Sequence, residues 1–184
     1  DWSSDVCSSD LSTNAGLWRY QIGDTVRFTS KYPFKIEIAG RVKHFMNAFG
    51  EEVIVDNAEK AIAAACQQTG ATVRDFTAAP LFMQGTNRGA HEWLIEFEQP
   101  PNNADTFTAA LDKALQGINS DYEAKRYKSM VLDEPVVRVL PEGTFHYWLK
   151  QKGKLGGQHK VPRLSNTRQY VEEIMAAASS DITS

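Results

Sequence analysis

Hydrophobic and polar positions change period several times along the chain, and each change predicts an element. Residues 17–29 read as two short strands around Gly23-Asp24. FKIEIA (34–39) alternates apolar and polar residues, the mark of a half-buried strand. Gly40-Arg41 follows, then the strand-like HFMNAF and Gly50, which reads as a hairpin at a junction. Asp56-Asn57-Ala58-Glu59 is a capping-box pattern. Behind it Ala58, Ala61, Ile62, Ala65 and Cys66 recur at helical spacing until Gly70 stops the helix.

Val73 to Met83 reads as a strand, and MQGTNRGA as a turn-rich loop hinged on Gly85 and Gly89. In HEWLIEFEQ, Trp93, Ile95 and Phe97 alternate with Glu92, Glu96 and Glu98, which predicts an antiparallel strand with one wet face. Pro100-Pro101 ends it, and a helix carrying Phe107, Leu111, Ala114, Leu115 and Ile118 follows. Ser120 with Glu123 starts a short helix through Tyr127, and VVRVL (136–140) is the last clear strand. Thr144 caps a helix bearing Phe145, Trp148 and Leu149. Residues 153–165 form a Gly-rich basic loop, and Asn166 opens a final helix with Tyr170, Val171, Ile174 and Met175 inward. The tail beyond Ala178 is expected to fray. This order predicts an α+β fold: a mixed or antiparallel sheet with helices packed on one face.

Bulk properties fit one soluble domain, or one domain with a scrap of another. The chain has 184 residues, 42% apolar and 23% charged. No apolar run approaches the roughly 18 residues of a membrane span, and the start lacks the pattern of a signal peptide. DWSSDVCSSDL (1–11) has no periodicity and matches the translation of a common short-read sequencing adapter. It is therefore expected to be a disordered artefact, which makes the chain a C-terminal fragment of a longer protein. Asp1, Asp5 and Asp10 lie in this string. Without them the 23 acidic residues become 20, equal to the 20 Lys and Arg, and the formal charge moves from -3 to zero. No basic field points to nucleic acid. Cys66 is then the single cysteine, a buried thiol suited to a reducing compartment such as the cytoplasm.

Three motifs carry candidate chemistry. In Tyr20-Gln21-Ile22-Gly23-Asp24-Thr25-Val26-Arg27, Gly-Asp puts a carboxylate at a strand-to-strand corner, where it can accept two hydrogen bonds from vicinal hydroxyls. Taken alone, Gly-Asp is also ordinary hairpin chemistry. Gly40-Arg41-Val42-Lys43 offers a donor at a strand end and a lysine suited to a hinge. Lys160, in Gly153-Lys154-Leu155-Gly156-Gly157-Gln158-His159-Lys160-Val161-Pro162-Arg163, is a point charge that a mobile loop can deliver to a phosphate. Taken alone, each of these two is a solvated loop. His44, His91, His146 and His159 are scattered without metal-ligand spacing. Tyr122, Tyr127, Trp148 and Tyr170 suit core or helix packing better than base stacking.

Together and in this order, YQIGDTVRF, IAGRVKHFMNAFGEE and GGQHKVPRL resemble the C-terminal part of the auxin-responsive acyl-acid amido synthetases, within the adenylate-forming ligase superfamily. INSDYEAKR (118–126) and VRVLPEGTF (137–145) add to the match, which covers about residues 17 to 176. The resemblance implies a two-step ligase. A carboxylic acid is adenylated by ATP with Mg2+, then an amine such as an amino acid displaces AMP. It implies that Asp24 holds the ribose hydroxyls with Arg41 and Tyr20 nearby. It further implies that Lys43 is the hinge and that Lys160 meets the α-phosphate. The implied organisation is residues 12–40 as the last strands of a truncated large domain, 41–178 as a mobile lid domain, and 179–184 as a tail. Ile22 stands where the superfamily usually has Thr, Lys43 where Asp is commoner, and Gln158-His159-Lys160 departs from the wider Gly-Lys ending. The phosphate loop and acyl pocket lie upstream in the family, so the fragment alone is expected to be inactive and to pack against its missing N-terminal domain. Two alternatives are a ligase that passes the acyl group to coenzyme A and a non-catalytic α+β binding module.

Overall fold

A computed structural model of the chain describes residues 6–16, 18–41, 45–82, 88–127, 131–153 and 160–180. The first part is an antiparallel sheet in the order β1-β2-β3, from Val6–Leu11, Tyr20–Lys31 and Phe34–Arg41. A cis Tyr32–Pro33 bond sits in the tight turn between β2 and β3. Two expectations change here. The string at the start is not disordered over Val6–Leu11, because β1 pairs with the edge of β2. Such pairing uses backbone groups that any polar sequence has, so it gives the position of these residues and nothing of their origin. Nor is Gly23-Asp24 a corner: β2 runs through it without a break.

Short strands β4 (Phe45–Met46) and β5 (Val53–Ile54) pair with each other and lead into α1 (Val55–Thr69). The predicted cap of α1 is displaced by two residues, from Asp56 to Ile54. Asn57 Oδ1 accepts the Ile54 N–H at 3.1 Å, while Asp56 lies inside the first turn, 2.8 Å from Lys60. Gly70, at φ 69°, ends the helix in the left-handed conformation that glycine adopts freely.

The second sheet has the order β6-β7-β8, from Thr72–Phe82, Gly89–Gln99 and Val136–Leu140. β6 and β7 are antiparallel, and β7 and β8 are parallel. The crossover between β7 and β8 carries α2 (Ala104–Ile118) and α3 (Ser120–Arg126). Two more helices follow, α4 (Thr144–Gln151) and α5 (Gln169–Ser180). The α5 helix begins three residues after Asn166 and continues past Ala178.

The sheet is covered on both faces, not one. Trp93, Ile95 and Phe97 pack with Ala58, Ala61, Ile62 and Ala65 of α1 and Phe107, Leu111 and Leu115 of α2. Leu94 packs on the opposite side with Phe145 and Trp148 of α4 and Val171, Ile174 and Ala177 of α5. The predicted wet face of β7 is therefore interior at Glu92 and Glu96, 1% and 2% exposed, and meets solvent only at Glu98. Each is buried because partners replace its water. Glu92 accepts from Arg138 and, at 2.6 Å, from Arg168. Glu96 accepts the Gly143 N–H at 2.8 Å and the Phe145 N–H at 3.3 Å, at the start of α4. Glu96, not Thr144, thus caps that helix; the Thr144 hydroxyl donates back to the Pro141 carbonyl at 2.8 Å. Two apolar predictions also fail, since Ile118 and Tyr127 are exposed while Tyr122 is buried.

Candidate functional site

The backbone brings two of the candidate residues together. Asp24 on β2 and Arg41 on β3 are direct cross-strand partners, with Thr25 facing Gly40 beside them. Residues so paired hold their Cβ atoms roughly 4.5–5.5 Å apart. The Gly-Asp motif also marks an irregularity. On the β1 side, Thr25 faces Ser8 and Gln21 faces Asp10, so β2 carries Ile22, Gly23 and Asp24 against Ser9 alone. A bulge of this kind bends a strand and re-aims its side chains, which a regular ladder does not do. Tyr20 opens β2 opposite Leu11. Lys43 lies outside the described residues.

Lys160 is exposed, and the chain beyond it is fixed at once. Val161 and Leu164 are buried. The Arg163 carbonyl accepts the Ala78 N–H at 2.9 Å, and the Ser165 N–H donates to the Ala78 carbonyl at 3.0 Å. Ala78 and Leu164 thus form a parallel bridge on the edge of β6 that β7 leaves free. The buried Thr77 hydroxyl donates to the Pro162 carbonyl at 2.6 Å. The Arg163 guanidinium pairs with Asp75, donates to the Phe76 carbonyl at 3.2 Å, and lies 4.6 Å from the centre of the Phe76 ring. Asn166 continues the attachment. It accepts the Asn47 N–H at 2.7 Å and donates to the Phe45 carbonyl at 3.0 Å, next to β4. None of these partners is near its counterpart in sequence, so no local spacing announces them.

Two other charged clusters pair internally, with the buried His91 Nδ1 alone left without a partner in them. Glu51 and His91 form a fully buried pair at 3.0 Å, and the Glu51 carboxylate also accepts the Ala48 and Phe49 N–H groups. Burial pushes the Glu51 carboxyl up, but the His91 and Phe49 contacts outweigh it and hold it below its ordinary range. On α2, Asp112 receives Arg126 at 2.7 and 2.8 Å and the Tyr122 hydroxyl at 2.7 Å. Burial and the Asp112 charge push the Tyr122 hydroxyl up, so it remains a donor. An open groove of about 320 Å³ is lined by Ile62, Cys66, Arg74, Phe76 and Arg163. Burial pushes the Cys66 thiol up, away from the thiolate form. Arg74 and Arg163 are already paired with Glu142 and Asp75, so the groove has no unmatched charge from these two for a ligand. Among the described residues, no three His, Cys, Asp or Glu side chains gather as a metal site. No helix among them is long and apolar enough to cross a membrane.

The model of the GH3 family C-terminal domain matches residues 56–169, more than half of the chain. The chain belongs to the GH3 family. A second model, of the GH3 family central domain, matches residues 10–41, the stretch that holds β2 and β3. Solved GH3 structures share the fold. One is described as "GH3.15 acyl acid amido synthetase", at 20% identity with a TM-score of 0.70. Another is "AtGH3.15 acyl acid amido synthetase in complex with 2,4-DB", at 19% identity with a TM-score of 0.69. Each match covers 92% of this chain, which spans 32% of the length of those proteins. No curated protein matches the chain by sequence. The GH3 chain therefore matches a central-domain model and then the model of an α+β C-terminal domain, in that order.

Proposed function

We propose that this chain is the C-terminal part of an ATP-dependent acid–amine ligase. In the first step a carboxylate oxygen attacks the α-phosphorus of ATP, and pyrophosphate leaves. In the second, an amine such as an amino acid attacks the acyl carbon of the adenylate; AMP leaves and the amine loses a proton. The observation that carries this reading is the ordered match of both GH3 models to one chain.

In this mechanism Asp24 accepts the two ribose hydroxyls, with Arg41 beside it as donor and Tyr20 lining the nucleotide. The cross-strand pairing of Asp24 with Arg41 supports that division of labour. Lys43 is the hinge between residues 12–40 and the C-terminal domain from 41 to 178. Lys160 reaches the α-phosphate and the substrate carboxylate oxygens and neutralises charge as it develops on the phosphate. Preorganised donors of this kind are worth about 3–4 kcal/mol each. Its exposed position supports a role toward a partner outside its own domain. ATP would carry Mg2+ that helps to neutralise its phosphates, and no residue among those described is assigned to hold the ion. Phe28, Tyr32, Phe34 and Ile36 leave apolar surface on the hairpin, with Tyr32 and Phe34 95% and 78% exposed. The remainder of the large domain covers that surface in the intact protein, which acts in the cytoplasm. Alone, the chain lacks a phosphate loop and has no ligase activity.

The test uses the full-length protein. Lys160→Ala is expected to abolish carboxylate-dependent ATP–pyrophosphate exchange while amide formation from preformed acyl-adenylate continues. Equal loss of both steps defeats the role assigned to Lys160.

A further inference from the structure

Lys160 takes its place from what holds the residue after it. Backbone atoms of consecutive residues are tied within about 3.8 Å, so a fixed Val161 fixes the root of the Lys160 side chain. Val161 is buried in the same apolar cluster as Leu94 and Trp148. Residues 162–165 are held along the free edge of β6 by three means. Main-chain hydrogen bonds to Ala78 set their direction. Arg163 is pinned in plane by Asp75, the Phe76 carbonyl and the Phe76 ring. Thr77 holds the Pro162 carbonyl from below, and its side chain has no other role visible among the described contacts.

Thr77 is the informative member. It is fully buried and faces Leu94 across the β6–β7 ladder, on the side of the sheet that α4 and α5 cover. A hydroxyl in such a place is unfavourable unless it finds an acceptor. Pro162 contributes no N–H of its own, so the segment lacks one backbone donor and its carbonyl is a fixed acceptor. The hydroxyl and the carbonyl are complementary at the one residue separated from Lys160 only by Val161.

We propose that Thr77 and Arg163 are positioning residues for Lys160, forming a clamp that sets the approach of its ammonium to the reacting phosphate. This rests on the role given to Lys160 above. The clamp touches neither substrate nor nucleotide; it limits where the lysine can go. Misplacing a catalytic group by about 1 Å costs on the order of 100-fold in rate, so loosening the clamp acts on the step that needs Lys160.

The test compares Thr77→Val, Thr77→Ser, Arg163→Lys and Lys160→Ala in the full-length protein. Thr77→Val removes the donor and nearly keeps the shape. It is expected to lower kcat of carboxylate-dependent ATP–pyrophosphate exchange by about 10- to 100-fold, with KM for ATP within about twofold. Amide formation from preformed acyl-adenylate should stay at the parent rate. Thr77→Ser, which keeps the hydroxyl, should restore exchange. Arg163→Lys keeps the charge but loses the planar fork; it should repeat the pattern of Thr77→Val and serves if that variant does not fold. Two outcomes overturn the clamp alone: exchange unchanged in both clamp variants while Lys160→Ala abolishes it, or a parallel fall of both half-reactions. Unchanged exchange in Lys160→Ala overturns the clamp together with the reading it rests on.

Discussion

On one face of β7, Trp93, Ile95 and Phe97 lie under α1 and α2 in an apolar cluster whose polar member at the sheet is His91, paired with Glu51. On the other, Glu92 and Glu96 lie under α4 and α5, equally buried. The first face needs little beyond shape and apolar area. The second needs a partner for every carboxylate oxygen, and those partners come from β8, the start of α4 and the turn before α5. Burial and polarity are therefore separable along this strand: the first is set by how many helices the chain returns to the sheet, the second by the donors that β8, the start of α4 and the turn before α5 present to it.

Cutting into the apolar face gives the largest effect. Trp93→Ala removes a fully buried indole, and such truncations cost about 3–5 kcal/mol. Thermal unfolding followed by circular dichroism should show this loss equally at pH 7 and pH 4. A loss that grows with acidity would mean that the two faces are not distinct in kind.

The carboxylate face should respond to both substitution and pH. Burial pushes the Glu92 carboxyl up, but the hydrogen bonds and charges of Arg138 and Arg168 outweigh it and hold it below the ordinary value of 4.5. A carboxyl depressed on folding contributes stability above its unfolded value. That contribution is lost as pH falls through the folded value, so the window opens below about pH 4.5. Glu92→Gln is expected to cost about 1.5–3 kcal/mol at pH 7, the worth of hydrogen bonds to charged groups. It should also make the unfolding temperature less sensitive to acid below that pH. An acid limb identical to the parent protein's would remove Glu92 from this account.

The same contrast explains how much was legible beforehand. Strand and helix positions follow largely from period: β6 and β8 fall within a residue of expectation, β7 starts two residues early at Gly89, and α2 lies where its apolar positions put it. The exposure of Glu92 and Glu96 does not follow, because alternation reports the two faces of a strand and says nothing about a second layer above it. That layer depends on α4 and α5, more than forty residues downstream. At the candidate site, the Gly23-Asp24 motif was visible but its geometry was not: a turn signal and a bulge signal look alike in one strand, and only the Ser8 and Asp10 pairings separate them. Lys160 stands out as a charge in a Gly-rich stretch. Thr77 does not, and Asn166 reads only as a helix opener, since their partners lie 85 and 119 or more residues away.

The smallest effect tests how α4 begins. A threonine before an apolar helical run is a sequence cap, yet the N–H groups at Gly143 and Phe145 go to Glu96 instead. Gly143, at φ 85°, turns the chain so that these groups face the sheet. Thr144→Ala should therefore cost only the single hydrogen bond to the Pro141 carbonyl, about 0.5–1.5 kcal/mol. Glu96→Gln keeps the shape but gives up the charge against the helix N-terminus, worth up to about 2 kcal/mol in a partly buried setting. The order of the two losses in thermal unfolding is the measurement. If Thr144→Ala proves the more costly, α4 is capped from its own sequence and the carboxylate face has one partner fewer than its burial requires.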